Sequence, residues 1–115
     1  MPRREGLTRL RHMLDYSREA TALVAGRVRV DLDVDRKLNL GLVRLLEIVG
    51  EAADRTTNEE RLLCPSIPWS EIVGLRNRLI HGYDAVDFDV PWGIVSEDLP
   101  KLTAALEAVL PEDAP

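Results

Sequence analysis

The segment VDRKLNLGLVRLLEIVGEAADR, residues 34–55, is the part of the sequence that most strongly indicates the architecture. Its apolar residues recur at helical spacing and cover roughly two thirds of a helical wheel. The polar residues form one narrow stripe of Arg44, Glu47, Glu51, Asp54 and Arg55. We therefore expect a helix from Asp33 or Val34 to Arg55 whose wide apolar face is covered by other helices or by a second subunit. Because a bundle of 115 residues has few helices to cover this face, we predict a homodimer.

Three more main helices and a short one are predicted around this segment. The first runs from Gly6 to Ala25 and ends near Gly26, a residue type common just after a helix. A short helix from Thr57 to Leu63 opens with the spacing of a capping box and is stopped by Pro65.

The third main helix runs from Pro68 to Ile80 or His81, where Gly82 interrupts it, and the fourth runs from Val90 to Leu110, kinked or split by Pro100. Residues 28–35 alternate like a strand but have no obvious pairing partner, so they are predicted to form a loop. The whole chain, residues 1–115, is then one all-α domain, an up-and-down bundle of four main helices plus a short one.

The net charge of −5 argues against a nucleic-acid partner, but the charge is unevenly distributed. Residues 1–83 carry 14 basic and 12 acidic side chains, whereas residues 84–115 carry 1 basic and 8 acidic side chains. The acidity therefore belongs mainly to the last quarter of the chain. The single cysteine, Cys64, is expected to pack as a small apolar residue.

Polar residues with chemical potential concentrate on the third main helix. On a continuous wheel for residues 69–81, Arg76 falls near the middle of the apolar arc, so it needs a carboxylate partner, a bound anion or a polar cleft. Glu47 and Glu51 are candidate supports, and a phosphate would be bound through two hydrogen bonds. Asn77 and His81 are four apart and share a helix face, while the histidine titrates near neutrality, as acid–base catalysis requires.

Three blocks in order resemble the HepT-like branch of the HEPN superfamily. The main one is IPWSEIVGLRNRLIHGY, residues 67–83, continuing through Val86 and Asp87. It is similar to the family pattern of Arg, a polar residue, three more residues, His, any residue and Tyr. The flanking blocks are LLEIVGEAA, residues 45–53, and EDLPKL, residues 97–102.

The resemblance implies a helical homodimer whose two motifs line a cleft that cuts RNA without metal or other cofactor. Arg76 would hold the phosphate, His81 would move the proton and Asn77 would orient either of them. It also implies a toxin of a type VII toxin–antitoxin system. Its partner, a minimal nucleotidyltransferase antitoxin, would attach AMP to Tyr83 and thereby neutralise the nuclease.

Two other functions stay open at this point: a catalytically silent helical partner of a nucleotidyltransferase, and a nucleotide-binding subunit that uses the same pocket without cutting. The paired aspartates of residues 31–35 begin like a calcium loop, but Arg36 and Leu42 stand where glycine and glutamate are needed. Without a Gly-Ser dipeptide they do not resemble a nucleotidyltransferase site either, and we expect them to cap a helix. With no apolar run long enough to span a bilayer and no secretory signal, we expect a cytoplasmic protein.

Overall fold

The computed structural model describes residues 4–83 and 87–111, without the side chains of residues 4–6 and 81–83. Over these residues the chain forms helices and no strands, which confirms the all-α class. The helices are α1 (Arg4–Leu23), α2 (Asp31–Val34), α3 (Arg36–Asp54), α4 (Asn58–Leu62), α5 (Trp69–Val73), α6 (Leu75–Tyr83), α7 (Asp89–Gly93), a π-helix (Ile94–Asp98) and α8 (Leu99–Val109).

The helix α3 lies at the centre of the bundle. It packs most extensively against α1 and also contacts α2, α5, α6 and α7, while α8 packs against α1. Its inner face, with Leu42, Leu46 and Val49 fully buried, forms the middle of the core. Its apolar surface is nevertheless only partly covered within one chain, because Leu40 stays 51% exposed. The other partly covered apolar residues of α3 are Val43, Leu45, Ile48 and Ala52.

The start of α3 differs from the prediction because a separate helical turn precedes it. Asp35 has an extended backbone, and its carboxylate accepts a hydrogen bond from the Leu38 N–H at 3.0 Å, so it is the N-cap. The four residues before it form α2 instead of the predicted loop. The buried amide of Asn39 donates to the Leu32 carbonyl at 2.9 Å and joins this turn to α3. The expectation that an aspartate caps this helix is confirmed by Asp35.

The third main helix is split, contrary to the prediction of one continuous helix. Gly74 separates α5 from α6 with a ψ of 0°, far from the roughly −42° of an α-helix. At the other end, α6 continues through Gly82 to Tyr83 instead of ending at Ile80 or His81. A glycine inside a helix costs only about 1 kcal/mol relative to alanine, which does not by itself end a helix.

The last helical segment is split by a change of helix type. Residues 89–109 run from α7 through the π-helix into α8, and Pro100 lies in the first turn of α8. Proline lacks an N–H and crowds the carbonyl four residues earlier, so an ordinary α-helical path through Ser96 is disfavoured. The wider π-turn directly before Pro100 accommodates this residue.

The short helix α4 is capped as predicted on one side only. The Thr57 hydroxyl accepts a hydrogen bond from the Glu60 N–H at 3.2 Å. The Glu60 carboxylate, which a full capping box would turn back to the Thr57 N–H, instead forms an ion pair with Arg9 of α1 at 3.1 Å. This buried carboxylate therefore ties α4 to α1.

Candidate functional site

Arg76 lies on the exposed face of α6, one residue into the helix. The prediction that it sits within the apolar arc is wrong, because the buried arc is narrower than the apolar one. Ile72, Leu75 and Leu79 are buried and share one face. Arg76 and Ile80 lie to one side of that face and are exposed. Among the side chains that the structure describes, none forms an ion pair with Arg76. Its guanidinium is therefore available to an anion from solution.

Gly50 brings the backbone of α3 against the start of α6. A Cβ atom at this position would lie 3.3 Å from the Ile72 carbonyl oxygen, 3.5 Å from the Leu75 Cβ and 3.8 Å from the Arg76 nitrogen. Such spacing is tighter than ordinary van der Waals contact at its closest point, so only glycine permits it without displacement. The position of Arg76 is thus fixed by direct packing of its backbone against α3.

The two candidate supports of Arg76 lie on α3 beside Gly50, but neither is within ion-pair distance of it. Glu51 is half-buried and lies 3.4 Å from the exposed Arg44 of its own helix. Glu47 is half-buried and forms no ion pair with any other described side chain. The Arg76 side chain therefore does not depend on either carboxylate for its exposed position.

The remaining motif residues follow Arg76 along the same helix. Asn77 and Arg78 are both exposed, which gives three consecutive polar side chains at the surface. The backbone of His81 and Tyr83 belongs to α6, so His81 comes one helical turn after Asn77. The side chains of His81 and Tyr83, and the whole of Val86, lie outside the described residues.

Arg78 is a residue that the sequence did not single out. It reaches away from α3 and forms an ion pair of 3.4 Å with Asp98, the last residue of the π-helix. The available signal was a second arginine two positions after Arg76, but no local pattern indicates that residues 20 apart would meet. Arg76 and Arg78 therefore point to opposite flanks of the exposed face of α6.

Cys64 and Trp69 stabilise the turn that precedes α5. The indole N–H of Trp69 donates to the Cys64 carbonyl at 3.1 Å, and the Arg61 guanidinium lies 5.4 Å from the centre of its ring. Cys64 itself is 2% exposed, and burial raises the pKa of its thiol. These contacts hold the 64–69 turn that leads into α5, and they confirm the expected packing role of Cys64.

Within the described ranges 4–83 and 87–111, no group of three His, Cys, Asp or Glu side chains is placed to hold a metal ion. None of the helices in those ranges has the length and apolar character needed to cross a bilayer.

Comparisons with known proteins agree on one family. A family model described as "HepT-like: Ribonuclease HepT-like" matches residues 13–109. A protein of Methanocaldococcus jannaschii, whose name marks it as a candidate RNase, is 43% identical over 75 residues, covering 65% of this chain and 69% of its own length. A protein of Thermococcus cleftensis named "Probable ribonuclease HepT" is 42% identical over 67% of this chain and 70% of its own length.

A third relative aligns over nearly its full length. This candidate RNase of Caldanaerobacter subterraneus subsp. tengcongensis is 32% identical over 104 residues, covering 90% of this chain and 93% of its own. No solved structure gives a significant match.

Proposed function

The chain belongs to the HepT-like ribonuclease family, and from that premise we propose that it is a metal-independent RNA endonuclease whose reacting groups lie on α6. The observation that carries the proposal is the exposed Arg76, which has no ion-pair partner among the described side chains and stands one and five residues before Asn77 and His81. A guanidinium in this state binds a phosphate through two charge-assisted hydrogen bonds.

The proposed reaction needs only a proton carrier and a cation. The ribose 2′-oxygen attacks the adjacent phosphorus and loses its proton, while the bond from phosphorus to the 5′-oxygen breaks and that oxygen gains a proton. His81 serves one of these transfers, as base at the 2′-hydroxyl or as acid at the 5′-oxygen. Arg76 stabilises the charge that grows on the phosphate, and Asn77 orients the histidine or the phosphate. The products are a 2′,3′-cyclic phosphate and a 5′-hydroxyl.

The active form is a homodimer. Ile80 is 53% exposed and lies four residues after Arg76, so the two share one side of α6. An exposed isoleucine beside an exposed arginine, together with Leu40 at 51% exposure on α3, is typical of a surface that another protein covers. A second copy packed here brings two Arg76 side chains to one cleft.

The test of catalysis compares purified native protein with Arg76→Ala and His81→Ala. Both variants should lose RNA cleavage by about 10²-fold or more while keeping their helicity. Arg36→Ala, an exposed arginine on α3, is the control and should cut like the native protein. Native activity should persist in EDTA and release a cyclic phosphate end. Undiminished cleavage or growth arrest by His81→Ala would remove the enzyme proposal in favour of a silent partner or a nucleotide-binding subunit.

Control of the nuclease is proposed to follow the type VII toxin–antitoxin pattern. A minimal nucleotidyltransferase antitoxin attaches AMP to Tyr83, the last residue of α6, two positions after His81. The added phosphate competes with RNA for Arg76, and the added bulk obstructs the path to His81. The Tyr83 oxygen would attack the α-phosphorus of ATP and lose its proton, while pyrophosphate leaves. The chain should therefore gain the mass of AMP less one water when incubated with partner, ATP and magnesium, whereas Tyr83→Phe should gain none and stay active. If the partner silences Tyr83→Phe as fully as the native chain, control is by binding alone.

A further inference from the structure

A groove runs along the flank of α6 that faces away from α3. Its deeper part, a cavity of about 400 Å³, lies between the 66–68 turn, α5 and α8 and is floored by the buried side chains of Ile67, Ile72 and Leu102. A shallower depression of about 490 Å³ continues from it over Ser70 and Gly74. The two parts share three lining residues, Glu71, Arg78 and Asp98, so they form one continuous surface.

The rim of the groove carries both signs of charge above an apolar floor. Arg78 and Asp98, which form an ion pair of 3.4 Å, both line it, as do the exposed residues Lys101 and Glu71. The two carboxylates would repel a simple anion. A purely apolar ligand would leave all four charged groups of the rim without a partner. A ligand with flat apolar faces, an edge of donors and acceptors and an attached phosphate satisfies all of these groups, and a nucleotide has this chemistry.

The groove adjoins the motif through consecutive residues of one helix. Arg78, on its rim, follows Asn77 directly and stands two positions, or about 3 Å of helix rise, beyond Arg76. The two side chains point about 200° apart, so an RNA chain that holds one phosphate at Arg76 reaches Arg78 by crossing the exposed face of α6 over Asn77. The opposite wall is formed by the end of the π-helix, whose wide turn carries Asp98 to the groove. Such turns are rare and occur frequently at functional sites.

We propose that this groove is a subsite for a nucleotide that flanks the scissile phosphate. Its base enters the 400 Å³ cavity against Ile67 and Leu102, its polar edge meets Glu71 and Asp98, and its phosphates lie at Arg78 and Lys101. The subsite gives the nuclease a base preference at one fixed position beside the cut. This inference rests on the proposed ribonuclease function and names how that site selects its substrate.

Two groove variants with matched controls test the subsite. Ala105→Phe fills the cavity from α8, and its control is Ala104→Phe on the exposed side of the same helix. Lys101→Ala removes a rim charge, and its control is Lys37→Ala, an exposed lysine on α3. Thermal melting of all four variants beside the native protein shows directly whether Ala105→Phe is folded. If Ala105→Phe is unfolded, the test rests on Lys101→Ala.

Two measurements are made on each protein. Sequencing of the cut ends from a random RNA pool reports base preference, and fluorescence anisotropy with a 2′-O-methyl oligonucleotide, which lacks the attacking hydroxyl, reports binding. We expect Ala105→Phe to change the preference at one position and to raise KM about tenfold with kcat little altered. Lys101→Ala should lower the slope of log affinity against log salt by about 0.7, the value for one phosphate contact to a single strand. Both controls should match the native protein.

The outcomes separate the subsite from the nuclease. Groove variants with native cut-site preference and native affinity would overturn the subsite while the nuclease stands. A native chain that binds the oligonucleotide but cuts no RNA would overturn the nuclease, and weaker binding by the groove variants would still support the subsite. A native chain that fails to bind the oligonucleotide would overturn the subsite.

Discussion

At the scale of single residues, the exposure of Arg76 separates its chemical role from the stability of the fold. An exposed side chain without an ion pair to a described residue contributes little to folding, so Arg76→Ala should change the free energy of unfolding by less than about 0.5 kcal/mol. Urea unfolding measures this directly. A loss of several kcal/mol would mean that the guanidinium is structural after all, and loss of cleavage in the variant would then no longer identify a phosphate-binding residue.

Two ion pairs of equal length predict how burial changes the effect of removing a charge. Arg9–Glu60 and Arg18–Glu107 both measure 3.1 Å, but the Glu60 side chain is 4% exposed and that of Glu107 50%. Arg9→Ala leaves a buried carboxylate without its partner and should cost about 1–3 kcal/mol. Arg18→Ala breaks an exposed pair and should cost at most about 0.5 kcal/mol. Equal losses in urea unfolding would contradict this assignment.

The residue types of the candidate site could be recognised from the sequence, but their surroundings could not. Arg76, Asn77 and the backbone of His81 do lie on one helix, α6. The burial expected for Arg76 was wrong because the wheel counts every apolar residue as buried, whereas only the face of Ile72, Leu75 and Leu79 is covered and Ile80 is 53% exposed. The Arg78–Asp98 contact depends on how α6 packs against the last helical segment, which no local pattern encodes.

At the scale of elements, the contact between α3 and α6 predicts a contrast between two glycines. Gly93→Ala places its methyl group where nothing lies within 4 Å and should stabilise the protein by about 0.5–1 kcal/mol. Gly50→Ala makes the same gain in helix propensity but pushes against the Ile72 carbonyl at 3.3 Å, so it should be no more stable than the native protein. It should also cut RNA more slowly, because it displaces the start of α6. Equal stabilisation by both changes would show that the approach at Gly50 is not a constraint.

The main elements could be predicted from the sequence, whereas their interruptions could not. Apolar spacing identified α1, α3 and α8, and an aspartate caps α3 as expected. The short turn α2 was not predicted because it depends on a few specific contacts, such as the hydrogen bond from the Asn39 amide to the Leu32 carbonyl. The π-helix was not predicted either. The prediction that Gly82 ends its helix was wrong, because a single glycine costs only about 1 kcal/mol in a helix and α6 continues through it.

At the scale of the whole molecule, the uncovered apolar residues predict self-association. Sedimentation should report about twice the chain mass of 12.9 kDa. Ile80→Glu places a charge where the second copy is proposed to pack, so it should shift the protein to monomer and lower cleavage. Leu62→Glu, on α4 and at a position already 76% exposed, should remain dimeric. A native protein that is monomeric at micromolar concentration and still cuts RNA would exclude a shared cleft.

The burial of Cys64 makes the molecule convenient for site-specific chemistry. The chain has no other cysteine, and this thiol is 2% exposed with a raised pKa, so little of it is present as the reactive thiolate at neutral pH. A maleimide dye or spin label should therefore ignore the folded native chain and react with a cysteine introduced at an exposed position such as Lys37 or Ala104. Distances between probes in the proposed dimer then become measurable without first removing a native thiol. The rate at which Cys64 itself is labelled would report how often the turn between α4 and α5 opens.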